Sequence, residues 1–575
     1  MQAFAEMGVP VEYGLAPRFP RQPSSTWKNR YVHSLTDELT GRLRAAAGVD
    51  PELRPATKPE FGHFQSNVAL RLAKDRGASP RQVAAELVES LDIDDLCLPV
   101  EIAGPGFLNL RLRPDVLARA VNEMAADKAL GITPLEPQQT AIVDYSSPNV
   151  AKQMHVGHLR TTIIGDCFVR VLRAVGTTVI PQNHMGDWGR QFGMLIEQIA
   201  DENLDLDTLD LPGAEGLYLR ANAHLDADPE FAERARARVV ALQAGDEETK
   251  NVWRRLIEIS LTGFNTTYQR LGVLLTDDDI AGESSYNDLL GPIADDLEAR
   301  GIAVHDQGAL VVFVDGFDAP AIIRNSAGGY GYDVTDVAAL KHRVDKLHAD
   351  RLIYVTDARQ RGHFELIFGV CRRAGYLPDD VTVQHVGYGM VTGADGRPFK
   401  TREGTAAHLD DLLDDAERVA SPAIALAAIK YADLSNQLQK DYVFDADRMT
   451  KTFGDTGPYL QYAHARTAQI LARAEAENLT WGGVETITEP AEVDLALALT
   501  GFSAVVTEVA TQLTPHKLCI YLFDLATKYS VFYEQCPVVS SEDATRASRL
   551  ALCAATKDVL ARGLGLLGIE APDRM

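Results

Sequence analysis

Two histidines three residues apart, His155 and His158, close the run Ser146-Ser-Pro-Asn-Val-Ala-Lys-Gln-Met-His155-Val-Gly-His158. That spacing puts both imidazoles on one helical face, and Gly157 between them leaves room for an adenine ring or a ribose to approach the backbone. Taken alone, an H-x-G-H tetrapeptide fits two surface histidines or a metal pair as well as a nucleotide site. Its place favours the nucleotide. A short apolar run, Thr140-Ala-Ile-Val-Asp144, precedes it and a long amphipathic pattern follows, so the motif lies where a strand hands over to a helix. Free N–H groups and the helix dipole favour anions there, which would hold a triphosphate with little extra charge. Lys152 and the two imidazoles would then meet the charge that builds on the α- and β-phosphates as pyrophosphate departs.

The elements that must position these groups can be read from periodicity. Val156, Leu159, Ile163, Val169, Leu172 and Val175 recur mostly at helical spacing, Gly176 is placed to end the helix, and Thr177 to Pro181 reads as a second strand. Strand, loop, helix and strand make the first unit of a doubly wound sheet. Sheet-type sequence resumes at Arg351–Asp357 and at Val381–His385, with a helix at about 362–374 between them. The acidic stretch from about 199 to 320 is mostly helical in period and reads as an insertion. Leu35 to about Leu117 forms a small α+β module in which Gly104-Pro105-Gly106 turns between two strands. From Ser421 onward nearly everything is helical in period, broken at Trp481–Pro490. The expected fold is multidomain α/β, a Rossmann-type parallel-sheet domain flanked by an N-terminal α+β domain and a C-terminal all-α domain. Boundaries are expected at 1–30 (a leader), 31–118, 119–420 and 421–575.

Composition bounds the rest. A chain of 575 residues has room for about three to five domains. With 46% hydrophobic and 24% charged residues it is ordinary for a globular protein, which excludes coiled-coil and disordered readings. Six scattered cysteines without a C-x-x-C pair speak against a disulfide scaffold or a structural zinc, and suit a reducing cytoplasm. The Pro-rich start is no secretion signal, and no window is expected to reach the roughly 18 apolar residues of a membrane span. A net charge of −25 argues at first against nucleic acid.

The motifs point the other way. Ser147-Pro-Asn-Val-Ala-Lys-Gln-Met-His-Val-Gly-His-Leu-Arg160, Thr162-Ile-Ile-Gly-Asp166, Asn183-His-Met-Gly-Asp-Trp-Gly-Arg-Gln-Phe-Gly193, Tyr332-Asp-Val-Thr-Asp336, Val355-Thr-Asp-Ala-Arg-Gln360 and Gly457-Pro-Tyr-Leu-Gln-Tyr-Ala-His-Ala-Arg466 resemble, in order, the signature segments of arginyl-tRNA synthetase, a class I aminoacyl-tRNA synthetase. The resemblance runs from about Leu35 to the end. It implies condensation of arginine with ATP to an adenylate, then transfer to the terminal adenosine of tRNA(Arg). It also implies Mg2+ accompanying the ATP, no protein-held metal site, a monomer in the cytoplasm, and activation of arginine only once tRNA is bound. By the same resemblance Ser147, Pro148, Asn149, His155, Gly157, His158 and Lys400 face ATP. Catalysis falls to Lys152, His155, His158 and Lys400, and arginine lies among Asp144, Asn149, His158, Tyr332, Asp336 and Gln360. A carboxylate suits a guanidinium because it accepts paired hydrogen bonds. Outside the resemblance, Asp144 is simply a strand-terminal Asp and Asp336 a helix N-cap. The second class I signature is reduced to Phe399-Lys-Thr-Arg-Glu-Gly404, keeping Lys400 and Arg402, with Lys152 as the compensating cation. Phe64, Gln65 and Asn67 in the N-terminal module, and Tyr459 and Arg466 with Tyr462 and His464 in the C-terminal one, become candidate tRNA contacts, although Phe64 reads equally as a core residue. Two further readings are a shorter H-x-G-H nucleotidyltransferase and a silent tRNA-binding relative, which would be expected to lose the histidine pair, Lys152 or Asp336.

Overall fold

The run Thr140–Asp144 is a core strand because its middle excludes water: Ala141, Ile142 and Val143 are at most 1% exposed. Such a strand, apolar on both faces, belongs inside a parallel sheet. In the computed structural model, which describes residues 35–393, 395–397, 399 and 407–575, that sheet has four parallel strands. Their order across the sheet is Thr382–Tyr388, Arg351–Asp357, Thr140–Asp144 and Thr178–Gln182. The chain leaves the central strand once to each side, so the crevice at the strands' carboxyl ends opens beside Asp144, where doubly wound folds bind ligands.

The helix Val156–Ala174 crosses behind this sheet. It can lie close because Gly165 has no side chain: a Cβ there would stand 2.2 Å from the Tyr145 ring. Thr161 fastens it, donating to the Val355 carbonyl at 2.6 Å and accepting from the Ser146 N–H at 3.0 Å. Gly176, at φ +78°, turns the chain toward the next strand as expected. Between strand and helix the backbone takes left-handed angles at Ser146, Ser147 and Ala151 (φ 71°, 50° and 63°), conformations costly for residues with a Cβ and concentrated at functional turns.

The insertion holds the helices Arg190–Glu202, Leu211–Ala227, Pro229–Ala244 and Glu247–Leu271. It is not helical to its end. After the helix Asn287–Ala299 come three antiparallel strands, Val304–Asp306, Ala309–Val312 and Ala321–Arg324, too short for their alternation to register against the surrounding helical pattern.

The N-terminal module is a four-stranded antiparallel sheet covered by helices, and Gly104–Gly106 turns between Glu101–Ala103 and Phe107–Leu110 as read from the sequence. Beyond Leu409 the chain is a helical bundle. Within it Pro490–Gln512 corrects the reading that no stretch is apolar enough to span a membrane: its length and mean hydropathy of 1.6 suffice by composition. The structure breaks it at Gly501 into Pro490–Thr500 and Phe502–Gln512, whose Leu495, Leu499, Phe502, Val506 and Val509 are each 0% exposed inside the bundle.

Candidate active site

The turn after the central strand fixes the chemistry of both histidines. His155 caps the helix: its Nδ1 accepts the Gly157 N–H at 3.0 Å, while the His155 N–H donates to His158 Nδ1 at 3.0 Å. Because each Nδ1 accepts a backbone proton, each neutral ring must carry its own proton on Nε2. Burial lowers both pKa values, His158 to about 3, and the rings, 4.0 Å apart between centroids, disfavour charge on one another. Two neutral Nε2–H donors result, a charge state that the sequence reading left open. They meet phosphate charge as aimed dipoles rather than as cations. Gly157 also serves a nearer neighbour: a Cβ there would stand 2.6 Å from His155 Cε1, so the glycine makes room for the capping ring.

Asp144 already has a partner within the protein. It was to meet the guanidinium of a substrate, yet it meets one of the protein's own: Arg343 Nη2 lies 2.7 Å from its Oδ2, and both side chains are buried. The sheet register sets this up, since Tyr354, Asp144 and Gln182 stand side by side on three strands. Arg343 donates to Gln182 Oε1 at 2.6 Å and lies 5.0 Å above the Tyr354 ring. The Ser147 hydroxyl donates to the other oxygen of Asp144 at 3.2 Å, and the Ser147 N–H to Asn183 Oδ1 at 3.0 Å.

Across the crevice, Asp336 is not the N-cap of its helix. The helix runs Tyr332–Asp345 with Gly331 at the cap, so Asp336 lies a full turn inside. Its carboxylate accepts from His363 Nε2 at 2.6 Å and stands 3.8 Å from His184 Nε2. Burial alone would lower the His363 pKa, but the hydrogen bond and charge of Asp336, with Asp333, outweigh it and raise the value. Tyr332, 68% exposed, holds its ring 5.1 Å from that of His363. Glu283 faces the same space. Burial first, then the charges of Asp187 and Asp336, push its carboxyl up to about 7. Asp187 is itself tied by the N–H and hydroxyl of Ser284 at 2.8 and 2.6 Å. The crevice therefore holds two carboxylates, Asp336 and Glu283; His363 and His184 stand beside Asp336, and among the described residues no Lys or Arg pairs with either, a field that favours a cation.

The remaining predicted residues fall on both sides. Asn149 is exposed on the turn, pairs with Gly186 as an isolated bridge, and places its Oδ1 where a Cβ on Gly186 would be. Pro148 is buried beneath it, and Gln360 is exposed at the foot of the helix Arg361–Arg373. Lys152 is half-buried with its Nζ 3.9 Å from the centre of the Tyr218 ring. Lys400 and Arg402 lie outside the described residues. Phe64 is not available to stack on a base: it is 6% exposed, on the inward face of the strand Phe64–Ser66. Gln65 next to it donates to Asn109 Oδ1 at 2.8 Å, and Asn67 is half-buried at the start of the helix Val68–Arg76 without capping it. Tyr459 is half-buried, its hydroxyl 3.3 Å from Ser530 Oγ, and Arg466 stacks 3.7 Å over Tyr533. His464 is 2% exposed, its Nδ1 donating to the Pro572 carbonyl at 3.0 Å, so it offers no surface contact, whereas Tyr462 is 44% exposed.

Sequence reasoning missed Glu283, His184, His363 and Arg343. Arg343 carried a signal, since it follows Asp336 by seven residues on one helical face. Glu283 carried none, because its neighbours Asp187 and Asp336 lie on two segments far from it in sequence.

A four-stranded doubly wound sheet with an H-x-G-H helix cap at its switch point is the catalytic domain of a class I aminoacyl-tRNA synthetase. Comparison with known proteins narrows the class. Residues 30–112 match the model of the arginyl tRNA synthetase N terminal domain, 120–422 that of the tRNA synthetases class I (R) catalytic domain, and 460–575 that of the DALR anticodon binding domain. The arginine–tRNA ligase of Cutibacterium acnes is 63% identical over 95% of this chain and 100% of its own, and that of Thermobifida fusca 48% identical over 93% and 99%. Crystallised arginyl-tRNA synthetases from Plasmodium falciparum and Thermus thermophilus superpose with TM-scores of 0.78, at 27% identity, over 94% of this chain and 99% of theirs. The chain belongs to the arginyl-tRNA synthetase family.

Proposed function

We propose that the acidic crevice takes the side chain of L-arginine, with Asp336 and Glu283 accepting from the guanidinium and Tyr332 covering it, and that the chain acts as an arginine–tRNA ligase. The observation that carries this reading is a pair of carboxylates without a Lys or Arg partner among the described residues, beside the nucleotide turn, in a chain 63% identical to an arginine–tRNA ligase. The substrate's own carboxylate then attacks the α-phosphorus of ATP, so no protein nucleophile is needed and catalysis rests on positioning and charge. Asn149, Gln360 and His158 hold the α-amino and carboxyl end. Ser147, Pro148, Asn149, His155, Gly157 and His158 line the ATP. Lys152 and Lys400, with the two Nε2–H donors, meet the charge of the departing pyrophosphate. Asp144 acts through Arg343, keeping the crevice wall rigid.

Mg2+ arrives with the nucleotide; among the described residues no three His, Cys, Asp or Glu side chains gather to hold a metal. Gln65, Asn67, Tyr459 and Arg466 face tRNA(Arg), with exposed Tyr462 beside the last two. The protein works as a cytoplasmic monomer, its domains divided at about 30, 118 and 420. Its charge of −25 requires the tRNA track to be a local strip of Arg and Lys, hence salt-sensitive binding.

Arginine-dependent exchange of pyrophosphate into ATP, run with and without cognate tRNA, tests the reading. Exchange with arginine is expected only when tRNA is present; exchange driven by another amino acid would overturn the assignment. Asp336→Asn, which keeps shape and removes charge, is expected to raise the arginine KM at least roughly tenfold, about 1.4 kcal/mol.

A further inference from the structure

The insertion grips the phosphate-binding turn at three consecutive residues. The Ala151 N–H donates to Ser260 Oγ at 2.9 Å, from the helix Glu247–Leu271. Lys152 Nζ lies 3.9 Å from the Tyr218 ring centre, and Gln153 Nε2 donates to Glu215 Oε2 at 2.7 Å, both partners from the helix Leu211–Ala227. Tyr218 and Glu215, three residues apart, share a helical face. Glu215 also stands 3.7 Å from His408 Nε2. His408 lies in the segment that runs antiparallel to the histidine motif, where the Val156 N–H donates to the Ala407 carbonyl at 3.2 Å and the Leu409 N–H to the Met154 carbonyl at 2.8 Å. The gripping helix is itself firm. Ala214, Leu217 and Ala221 are 0% exposed, and Asp210 caps it by accepting the Gly213 N–H at 2.8 Å.

The choice of partner for Lys152 matters chemically. Among the described residues no carboxylate lies within salt-bridge distance of its Nζ. An aromatic face attracts an ammonium without neutralising it, so the lysine is held in place yet keeps its charge for an incoming anion. A carboxylate in the same position would have to be displaced by ATP.

We propose that Tyr218 is a positioning residue for adenylate formation, holding Lys152 ready for the phosphates while Glu215 holds the neighbouring Gln153 and the His408 segment; this rests on the assignment of Lys152 to ATP above. In that step the arginine carboxylate oxygen bonds to the α-phosphorus, the bond from that phosphorus to the bridging oxygen breaks, and pyrophosphate leaves with the electron pair. Lys152 meets that developing charge.

The test is a double-mutant cycle on the full chain, read by arginine-dependent pyrophosphate exchange with cognate tRNA. Tyr218→Ala is expected to lower kcat about tenfold with the arginine KM within about twofold, Tyr218→Phe to retain near wild-type kcat, and Tyr218→Ala to add nothing in a Lys152→Met background. Should Tyr218→Ala fold poorly, Tyr218→Leu keeps bulk without the aromatic face and is expected to behave as Tyr218→Ala. A Phe variant as slow as the Ala or Leu variant, or an equal loss in the Lys152→Met background, would overturn the proposal. Wild-type exchange that ignores arginine would instead remove the functional reading beneath it.

Discussion

The two ends of the helix Val156–Ala174 both carry ionisable side chains on or next to them and treat them in opposite ways. At the amino end His155 and His158 are bonded only to backbone N–H groups, and Lys152 just before them rests on an aromatic ring. Further along, the charges are held by partners, most of them from distant chain. Arg160, 1% exposed, pairs with Asp433 at 3.2 Å, donates to the Lys440 carbonyl at 3.0 Å, and lies between the Tyr388 and Tyr442 rings. Asp166 accepts from Arg170 at 2.7 Å and from the Leu274 N–H at 2.8 Å, beside Lys430, which donates to the Gly568 carbonyl at 2.6 Å. One half is left short of partners where a triphosphate would supply them. The other is close to saturated, Arg160 Nη2 alone of these groups lying buried without a partner among the described residues, and it bolts the C-terminal bundle to the catalytic helix. Partner count separates the two.

The largest effect should come from the saturated half. Arg160→Met leaves Asp433 buried and unpaired, which is expected to cost about 3–5 kcal/mol of stability in urea unfolding, with much of it recovered when Asp433→Leu is added. A loss below about 1 kcal/mol would move Arg160 to the functional side of the comparison. Next comes the open half: His158→Ala or Lys152→Met is expected to lower kcat of pyrophosphate exchange by about 10²–10³; the unfolding midpoint should barely move for Lys152→Met, while His158→Ala also loses the acceptor of the His155 N–H, about 1 kcal/mol. A matching loss of stability would show that these groups, too, are struts.

Across the crevice the effect is smaller and depends on pH. The Glu283 carboxyl, pushed up to about 7, is charged above that pH and neutral below it, whereas the guanidinium of arginine stays charged throughout. Arginine kcat/KM is therefore expected to fall as pH drops through about 7, and Glu283→Gln to remove that limb while raising KM about tenfold. His158, lowered to about 3, contributes no step at ordinary histidine pH. A limb that survives Glu283→Gln would assign the titration to another group.

What the sequence disclosed follows the same division. The apolar run at 140–144, the helix after the histidines and the strand at 351–357 were legible because their signals are local: periodicity, a cap and a glycine. The strands within 304–324 were not, being three or four residues each. Phe64 sits in a three-residue strand, too short to say which face is inward. The motif around the histidines gave its position but not its charge state, which depends on two backbone hydrogen bonds. Arg160 and Asp166 belong to signature segments, and nothing local in the sequence assigned them a structural role. The partners of Arg160, 273 residues away at Asp433 and 280 at Lys440, were beyond any local pattern.

The smallest expected effect tests whether a titrating group in the saturated half stays silent in catalysis. Burial lowers the Lys430 pKa from its usual 10.5 to about 8, only partly offset by Asp166. Between those two pH values the unfolded chain holds a proton that the folded one has released, so this group makes stability rise with pH across that window. Lys430→Met removes the hydrogen bond to Gly568, worth about 0.5–1.5 kcal/mol, and should flatten that slope without changing kcat. A fall in kcat larger than the loss of folded protein would mean that the bolts also transmit, and that the two halves of the helix are coupled rather than divided in labour.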